Sequence, residues 1–299
     1  MTVPARLRIN DTVALLAPSG PCKPDKLKLA VEAVKALGLR PIVMESCQSE
    51  NGYLAGSDTV RAKDIMVAFT DPGVKGIFAI RGGYGAQRLL PLLDYARIAK
   101  HPKVFAGYSD ITALHTVFNQ DCGFVTYHSP MPATELYKAD DFTMRSFLGN
   151  VMEGHAPPEL SYTPVTPGAA AGILTGGNLS LLASSLGTPY EIDTHNKILF
   201  IEEIGEEPYR VDRMLVQLSQ KLVDCRAILL GSFSPETTET LSQAIKELLI
   251  PLGKPIGADL PCGHCLPTAT LPLGKYVQMG PMPCEAPCHE QRHILSPRA

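Results

Sequence analysis

The chain has no tryptophan, and its ten tyrosines are scattered rather than set out as a stacking surface. No stretch approaches the roughly 18 consecutive apolar residues a spanning helix needs, so no helical membrane segment is expected. Neither sign of charge dominates: 27 Lys and Arg stand against 30 Asp and Glu. The formal charge of −3 gives no basic footprint, which argues against nucleic acid as a partner. The opening residues, Met1-Thr-Val-Pro-Ala-Arg-Leu-Arg-Ile-Asn10, lack the apolar core and small-residue cleavage site of a secretory signal. Eight cysteines in 299 residues are too sparse for a disulfide scaffold, and most sit singly in apolar runs. A reducing, cytoplasmic setting is the expectation. Internal repeats are absent too.

What is present is an ordinary globular composition, 45% hydrophobic and 19% charged, at a length sufficient for two domains. Through the first half, apolar runs alternate with helix-like stretches, which predicts an α/β domain with mostly parallel strands. Strands are expected at 12–17 and 40–44, and helices at 25–37 and 61–69. Two strand–turn–helix units follow, at 76–93 and 103–118. Between about 149 and 172 the chain turns rich in Pro, Gly and Thr, which is linker chemistry. The expected organisation is therefore an N-terminal domain over 1–150, a linker over 151–170 and a C-terminal domain over 171–299. In the second half, strands are expected at 197–201 and 227–230, and amphipathic helices at 209–222 and 240–249.

Two turns in the first half and two segments in the second carry candidate chemistry. Gly107-Tyr-Ser-Asp-Ile111 joins a strand to a helix, and a serine on so sharp a turn is pushed out above the sheet edge. The N–H of Asp110 then belongs to the helix start and can bind an oxyanion. The alternative is that Ser109 or Asp110 simply caps that helix. Arg81-Gly-Gly-Tyr-Gly85 follows another strand; it fits neither the dinucleotide glycine pattern nor a P-loop. Gly82 and Gly83 read either as a tight turn or as a second source of oxyanion N–H groups. Farther on, the strand ending in Glu202-Glu203 places one carboxylate on each face, so only one of them can hold a histidine. His264 lies in a Pro-rich loop, where a rigid imidazole is a candidate base.

Taken together, these segments resemble the LD-carboxypeptidase family of serine peptidases. The matching stretches are Val13-Ala-Leu-Leu-Ala-Pro-Ser-Gly20, Ile80-Arg-Gly-Gly-Tyr-Gly85 and Phe105-Ala-Gly-Tyr-Ser-Asp-Ile-Thr112. Gly176-Gly-Asn-Leu-Ser180, Leu199-Phe-Ile-Glu-Glu-Ile-Gly-Glu206, Pro208-Tyr-Arg-Val-Asp-Arg-Met-Leu215 and Gly263-His264 with Leu271-Pro-Leu-Gly274 follow in the family's order. The resemblance implies a Ser–Glu–His triad of Ser109, Glu202 and His264, with Glu203 the competing acid. It implies oxyanion donors from Asp110 and Gly82 or Gly83. The implied fold is an N-terminal parallel-sheet domain like that of class I glutamine amidotransferases, followed by a smaller β-rich α/β domain. A homodimer is implied, as is a muropeptide substrate that loses terminal D-alanine during cell-wall recycling. Neither a cofactor nor a metal is implied. A related branch of the family cleaves a peptidyl-nucleotide toxin with the same triad.

The cysteines Cys262, Cys265, Cys284 and Cys288 depart from this pattern. Cys262-Gly-His-Cys265 has the spacing of a redox dithiol, and all four together have that of a zinc ribbon. Unlinked thiols are the simplest expectation. A non-catalytic peptide-binding cleft, with Ser109 as a helix cap, is the remaining alternative.

Overall fold

The computed structural model describes residues 1–234, 239–281 and 293–297. The chain divides into two compact units, Met1–Pro158 with Leu266–Leu273, and Glu159–Cys265 with Gly274–Ala299.

The first unit is built on a six-stranded sheet. Its strands are β1 (Thr12–Leu16), β2 (Arg40–Val43), β3 (Val74–Ala79), β4 (Val104–Gly107) and β5 (Thr126–His128), with β11 (Leu271–Leu273) arriving late in the chain. The order is β11-β5-β4-β3-β1-β2. The first five strands pair in parallel, and β11 pairs antiparallel with β5. Parallel strands covered on both faces read as continuous apolar runs, as β1, β3 and β4 do. The helices are α1 (Pro24–Ala36), α2 (Asp58–Thr70), α3 (Tyr95–Ile98), α4 (Thr112–Gln120) and α5 (Asp141–Val151). Proline at the first position and Asp25 in the first turn favour the start of α1, and the Ser57 hydroxyl caps α2 by accepting from Val60 N–H at 3.2 Å. Phe69, Phe105, Phe118 and Phe124 pack ring against ring between sheet and helices. Each such buried ring stabilises the unit by roughly 2–3 kcal/mol.

After β3 the helical stretch expected to follow the glycine loop is a 3₁₀ segment, Ala86–Leu92. Pro91 lies inside it, has no N–H and cannot continue an α-helical ladder.

The second unit is a closed seven-stranded barrel in the order β10-β6-β13-β12-β7-β8-β9. Its strands are β6 (Leu160–Thr166), β7 (Ala170–Asn178), β8 (Ile198–Ile204), β9 (Ala227–Ser234), β10 (Ile256–Ala258), β12 (Tyr276–Pro281) and β13 (His293–Pro297). The run β7-β8-β9-β10 is parallel and the remainder antiparallel. Closure leaves the barrel without an open edge. Four helices, α6 (Leu179–Ser185), α7 (Pro208–Gln217), α8 (Ser219–Asp224) and α9 (Glu239–Leu249), join an apolar cluster with the strands. The helix expected over 209–222 is broken at Leu218, whose ψ near 0° interrupts it between α7 and α8. Strand β6 lies inside the stretch whose composition reads as linker. There Leu160 and Tyr162 are buried while Ser161 and Thr163 are exposed, a two-residue alternation that ends at Pro164, which is exposed like Thr163.

Candidate active site

The strand order β2-β1-β3-β4-β5 reverses direction at β1 and β3, which forms a crevice at the C-terminal ends of those strands. In open parallel sheets that is where ligands bind. Three loops of the first unit meet in this region: Pro18-Ser19-Gly20 after β1, Arg81 to Gly85 after β3, and Tyr108-Ser109-Asp110 after β4. Gly20 N–H donates to the Gly82 carbonyl at 3.3 Å, tying the first loop to the second.

Ser109 has φ +67°, the left-handed region that a residue with a Cβ rarely adopts. The residues after it wind a short 3₁₀ turn, Ser109–Ile111, into α4. No side-chain hydrogen bond caps either that turn or α4, so the helix-cap alternative for Ser109 and Asp110 finds no bond to rest on. Gly82 explains how the turn is accommodated. A Cβ on Gly82 would lie 2.9 Å from Ser109 Cβ and 3.0 Å from its Oγ, so only glycine lets this loop approach the serine. Gly83, with φ +122°, lies beside Gly20 instead.

The Asp110 side chain turns inward. It is buried and accepts from Ser19 Oγ at 2.5 Å and from Ala86 N–H at 2.8 Å. Burial pushes its carboxyl above the usual range, and these hydrogen bonds act in the opposite direction. Arg61, fully buried on α2, crosses the same region. Its guanidinium donates to the carbonyls of Pro18 and Gly85 and pairs with Asp58, which also holds Arg88. One buried acid and one buried base thus stitch all three loops together. Behind the turn, His115 on α4 sets Nε2 at 2.8 Å from the Gly107 carbonyl, and burial pulls its pKa down to about 4. The ring is neutral at physiological pH.

In the second unit, Glu202 and His264 form a pair. Glu202 is fully buried near the end of β8, and its Oε2 lies 2.6 Å from His264 Nδ1. A carboxylate accepts only, so Nδ1 carries the hydrogen and Nε2 is left as the acceptor. The local fold explains the approach. Ile201 pairs with Leu230 and Glu203 with Phe233, so β9 carries an extra residue opposite Glu202. That bulge presents Gly231 and Ser232, and Ser232 N–H donates to the Cys262 carbonyl at 2.9 Å, anchoring the loop that bears His264. A side chain on Gly231 would collide with that carbonyl, and one on Gly263 would lie 2.9 Å from Glu202 Oε2.

Glu203 points the other way. It accepts from Asn178 Nδ2 at 2.9 Å, Ser180 N–H at 2.7 Å, Ser180 Oγ at 2.6 Å and Ile204 N–H at 2.8 Å. Its work is to hold the start of α6, and strand parity separates the two acids as expected. Cys262 is buried, which raises its thiol pKa and keeps it protonated, the reverse of what a redox dithiol needs. Among the described residues there is no disulfide and no group of three metal-ligating side chains. Cys284 and Cys288, which the zinc-ribbon spacing requires, lie outside the described residues.

Known families match both halves of the chain. Residues 13–129 match the LD-carboxypeptidase N-terminal domain, and residues 171–279 match the LD-carboxypeptidase C-terminal domain. The chain belongs to the LD-carboxypeptidase family. It is 42% identical to a probable murein peptide carboxypeptidase of Bacillus subtilis, with 92% of this chain and 91% of that protein aligned. Among solved structures, muramoyltetrapeptide carboxypeptidase from Oxalobacter formigenes superposes with a TM-score of 0.83 at 31% identity, covering 96% of this chain and 99% of that one. An MccF-like protein from Bacillus anthracis gives 0.87 at 26% identity over the whole of both chains.

Sequence reasoning singled out Ser109, Asp110, Gly82 and Gly83, which lie together in the first unit, and Glu202 and His264, which lie together in the second. It missed Arg61, Ser19 and Ser232. Arg61 left a signal: a cation in register with Ile65 and Phe69 on the buried face of α2. Ser19 and Ser232 left none, since what matters there is an approach between distant segments.

Proposed function

We propose that this LD-carboxypeptidase family member is a serine carboxypeptidase that hydrolyses an L,D-peptide bond, releasing terminal D-alanine from peptidoglycan tetrapeptide. Ser109 is the nucleophile, His264 the base, and Glu202 holds the imidazole. The observation that carries this reading is the 2.6 Å bond between Glu202 and His264, because it leaves Nε2 ready to accept a proton. The left-handed backbone at Ser109 supports the nucleophile. The murein peptide named for the relative at 42% identity and the muramoyltetrapeptide named for the structure at 31% support the substrate.

In the proposed reaction His264 Nε2 takes the hydroxyl proton as Ser109 Oγ attacks the amide carbonyl. The N–H groups of Asp110 and of Gly82 or Gly83 stabilise the oxyanion. The imidazolium returns its proton to the departing amine of D-alanine. Water, deprotonated by the same nitrogen, then releases the shortened peptide and regenerates Ser109.

The glutamine-amidotransferase likeness of the first unit, a homodimeric assembly and a cytoplasmic role in cell-wall recycling belong to the same proposal. No helix among the described residues is long and apolar enough to cross a membrane.

The test is D-alanine release from a peptidoglycan tetrapeptide by the native protein and by Ser109→Ala. Release that disappears in the variant is the expected result. No release by the native protein rejects the muropeptide assignment and favours the peptidyl-nucleotide alternative.

A further inference from the structure

Arg81 stands two residues beyond β3, at the crevice where the parallel sheet reverses direction. Its half-buried side chain is laid across the loop after β1: Nη1 donates to the Pro21 carbonyl at 2.9 Å and Nε to the Gly82 carbonyl at 3.2 Å. Neither bond uses Nη2. A Cβ on Gly20 or on Gly83 would lie 3.6 Å from that nitrogen, so the two glycines keep the space beside it clear. Among the described residues no carboxylate lies within ion-pair distance of Arg81, whereas Arg61 and Arg88 share Asp58. The next residue, Gly82, is the one that lies against Ser109. Arg81, whose guanidinium is oriented and has no acidic partner among the described residues, is thus the chain neighbour of the glycine that lies against the nucleophile.

We propose that Arg81 binds the free α-carboxylate of the residue being released, and that this contact confines cleavage to the chain terminus. The inference rests on the serine carboxypeptidase reading above. An exopeptidase must tell a terminal carboxylate from a continuing amide. The difference is one negative charge and one acceptor oxygen, and a guanidinium held by two carbonyls answers both. The carboxylate carbon lies three covalent bonds beyond the scissile carbonyl carbon, at most about 3.7 Å away, so the charge to be read lies close to the reacting atoms. The cation that reads it must sit next to the nucleophile, and Arg81 is on the loop that touches Ser109. A residue that merely stapled two loops would need Nη1 and Nε alone and would impose no preference for charge on the substrate.

The test compares a tetrapeptide ending in D-alanine with the same peptide ending in D-alanine amide. Native protein, Arg81→Met and Arg81→Lys are assayed, with folding checked by circular dichroism. The native protein is expected to favour the free acid by roughly 100-fold in kcat/KM. Arg81→Met should lose most of that preference, to within about 3-fold, by losing activity on the acid while keeping its activity on the amide. Arg81→Lys, which keeps the charge without the fork, should fall between them. If Arg81→Met or Arg81→Lys folds and keeps the native preference, or if both lose acid and amide cleavage equally, the assignment of Arg81 is overturned while the carboxypeptidase reading stands. If the native protein cleaves neither peptide, the carboxypeptidase reading fails and this inference falls with it.

Discussion

Around Ser109 the nucleophile's own backbone is bent into the left-handed region, whereas around His264 the bending falls on its neighbours, Gly263 at φ +113° and the bulge opposite Glu202, and a carboxylate aims the ring. The first arrangement depends on a left-handed residue, a glycine that tolerates its approach and a buried Arg61–Asp110 network binding three loops. The second depends on strand parity, a bulge opposite Glu202, the Ser232–Cys262 bond that anchors the loop and the 2.6 Å contact between Glu202 and His264. Strain can be sustained in the first unit because the surrounding groups over-determine it. In the second unit the carboxylate fixes both the tautomer and the direction of the ring.

This contrast can be broken from the side of the acid first. Glu202→Gln keeps the shape of the side chain but lets the wrong imidazole nitrogen carry the hydrogen. A loss of about 10⁴-fold in kcat is expected, with little change in stability, as measured by D-alanine release and thermal melting. A drop of less than about tenfold would remove Glu202 from the proposed role.

Acid should discriminate the two regions next. His115 lies behind the Ser109 turn with its folded-state pKa pulled from 6.5 down to about 4. Its contribution is fully present above pH 6.5 and is lost as pH falls toward 4, because the unfolded chain takes up the proton first. The loss amounts to about 3 kcal/mol. Urea unfolding at pH 7, 5 and 4 should show it in the native protein, and His115→Gln should flatten the difference.

A methyl group sharpens the comparison further. Gly82→Ala puts a Cβ against Ser109, so kcat should fall roughly 100-fold as the nucleophile is displaced. The protein should remain folded by circular dichroism. The smallest effect is expected at Glu203→Gln, where any orientation of the amide sets an NH₂ against the N–H donors of Asn178, Ser180 or Ile204. That should cost about 2 kcal/mol of stability while turnover per folded molecule stays within about tenfold. If Glu203→Gln instead abolished turnover in a stable protein, the parity argument would be reversed.

Much of this contrast was legible in the sequence, though unevenly. The apolar runs of β1, β3 and β4 announce a buried parallel sheet, and a strand leading through Gly107 into the face of Leu114 and Phe118 announces the turn at Ser109. Alternation along β8 separates Glu202 from Glu203, because period-two geometry is local. Barrel closure was not legible. Strand β6 contains Pro164, and its neighbours β10 and β13 are separated from it by long stretches of chain, so pairing rather than propensity creates those strands. The return of Leu271–Leu273 to the first sheet is another long-range pairing, made by three residues with a proline in the middle. The stitching of three loops by Arg61 and Asp110 was hidden for the same reason: its partners are backbone carbonyls and N–H groups, which carry no residue-type signal.

The most direct test of the central claim is to treat the protein with a serine-directed fluorophosphonate and map the adduct by peptide mass. One label per chain on Ser109, blocked by the tetrapeptide and accompanied by loss of D-alanine release, is the predicted result. Inactivation with the label on any other residue would contradict it.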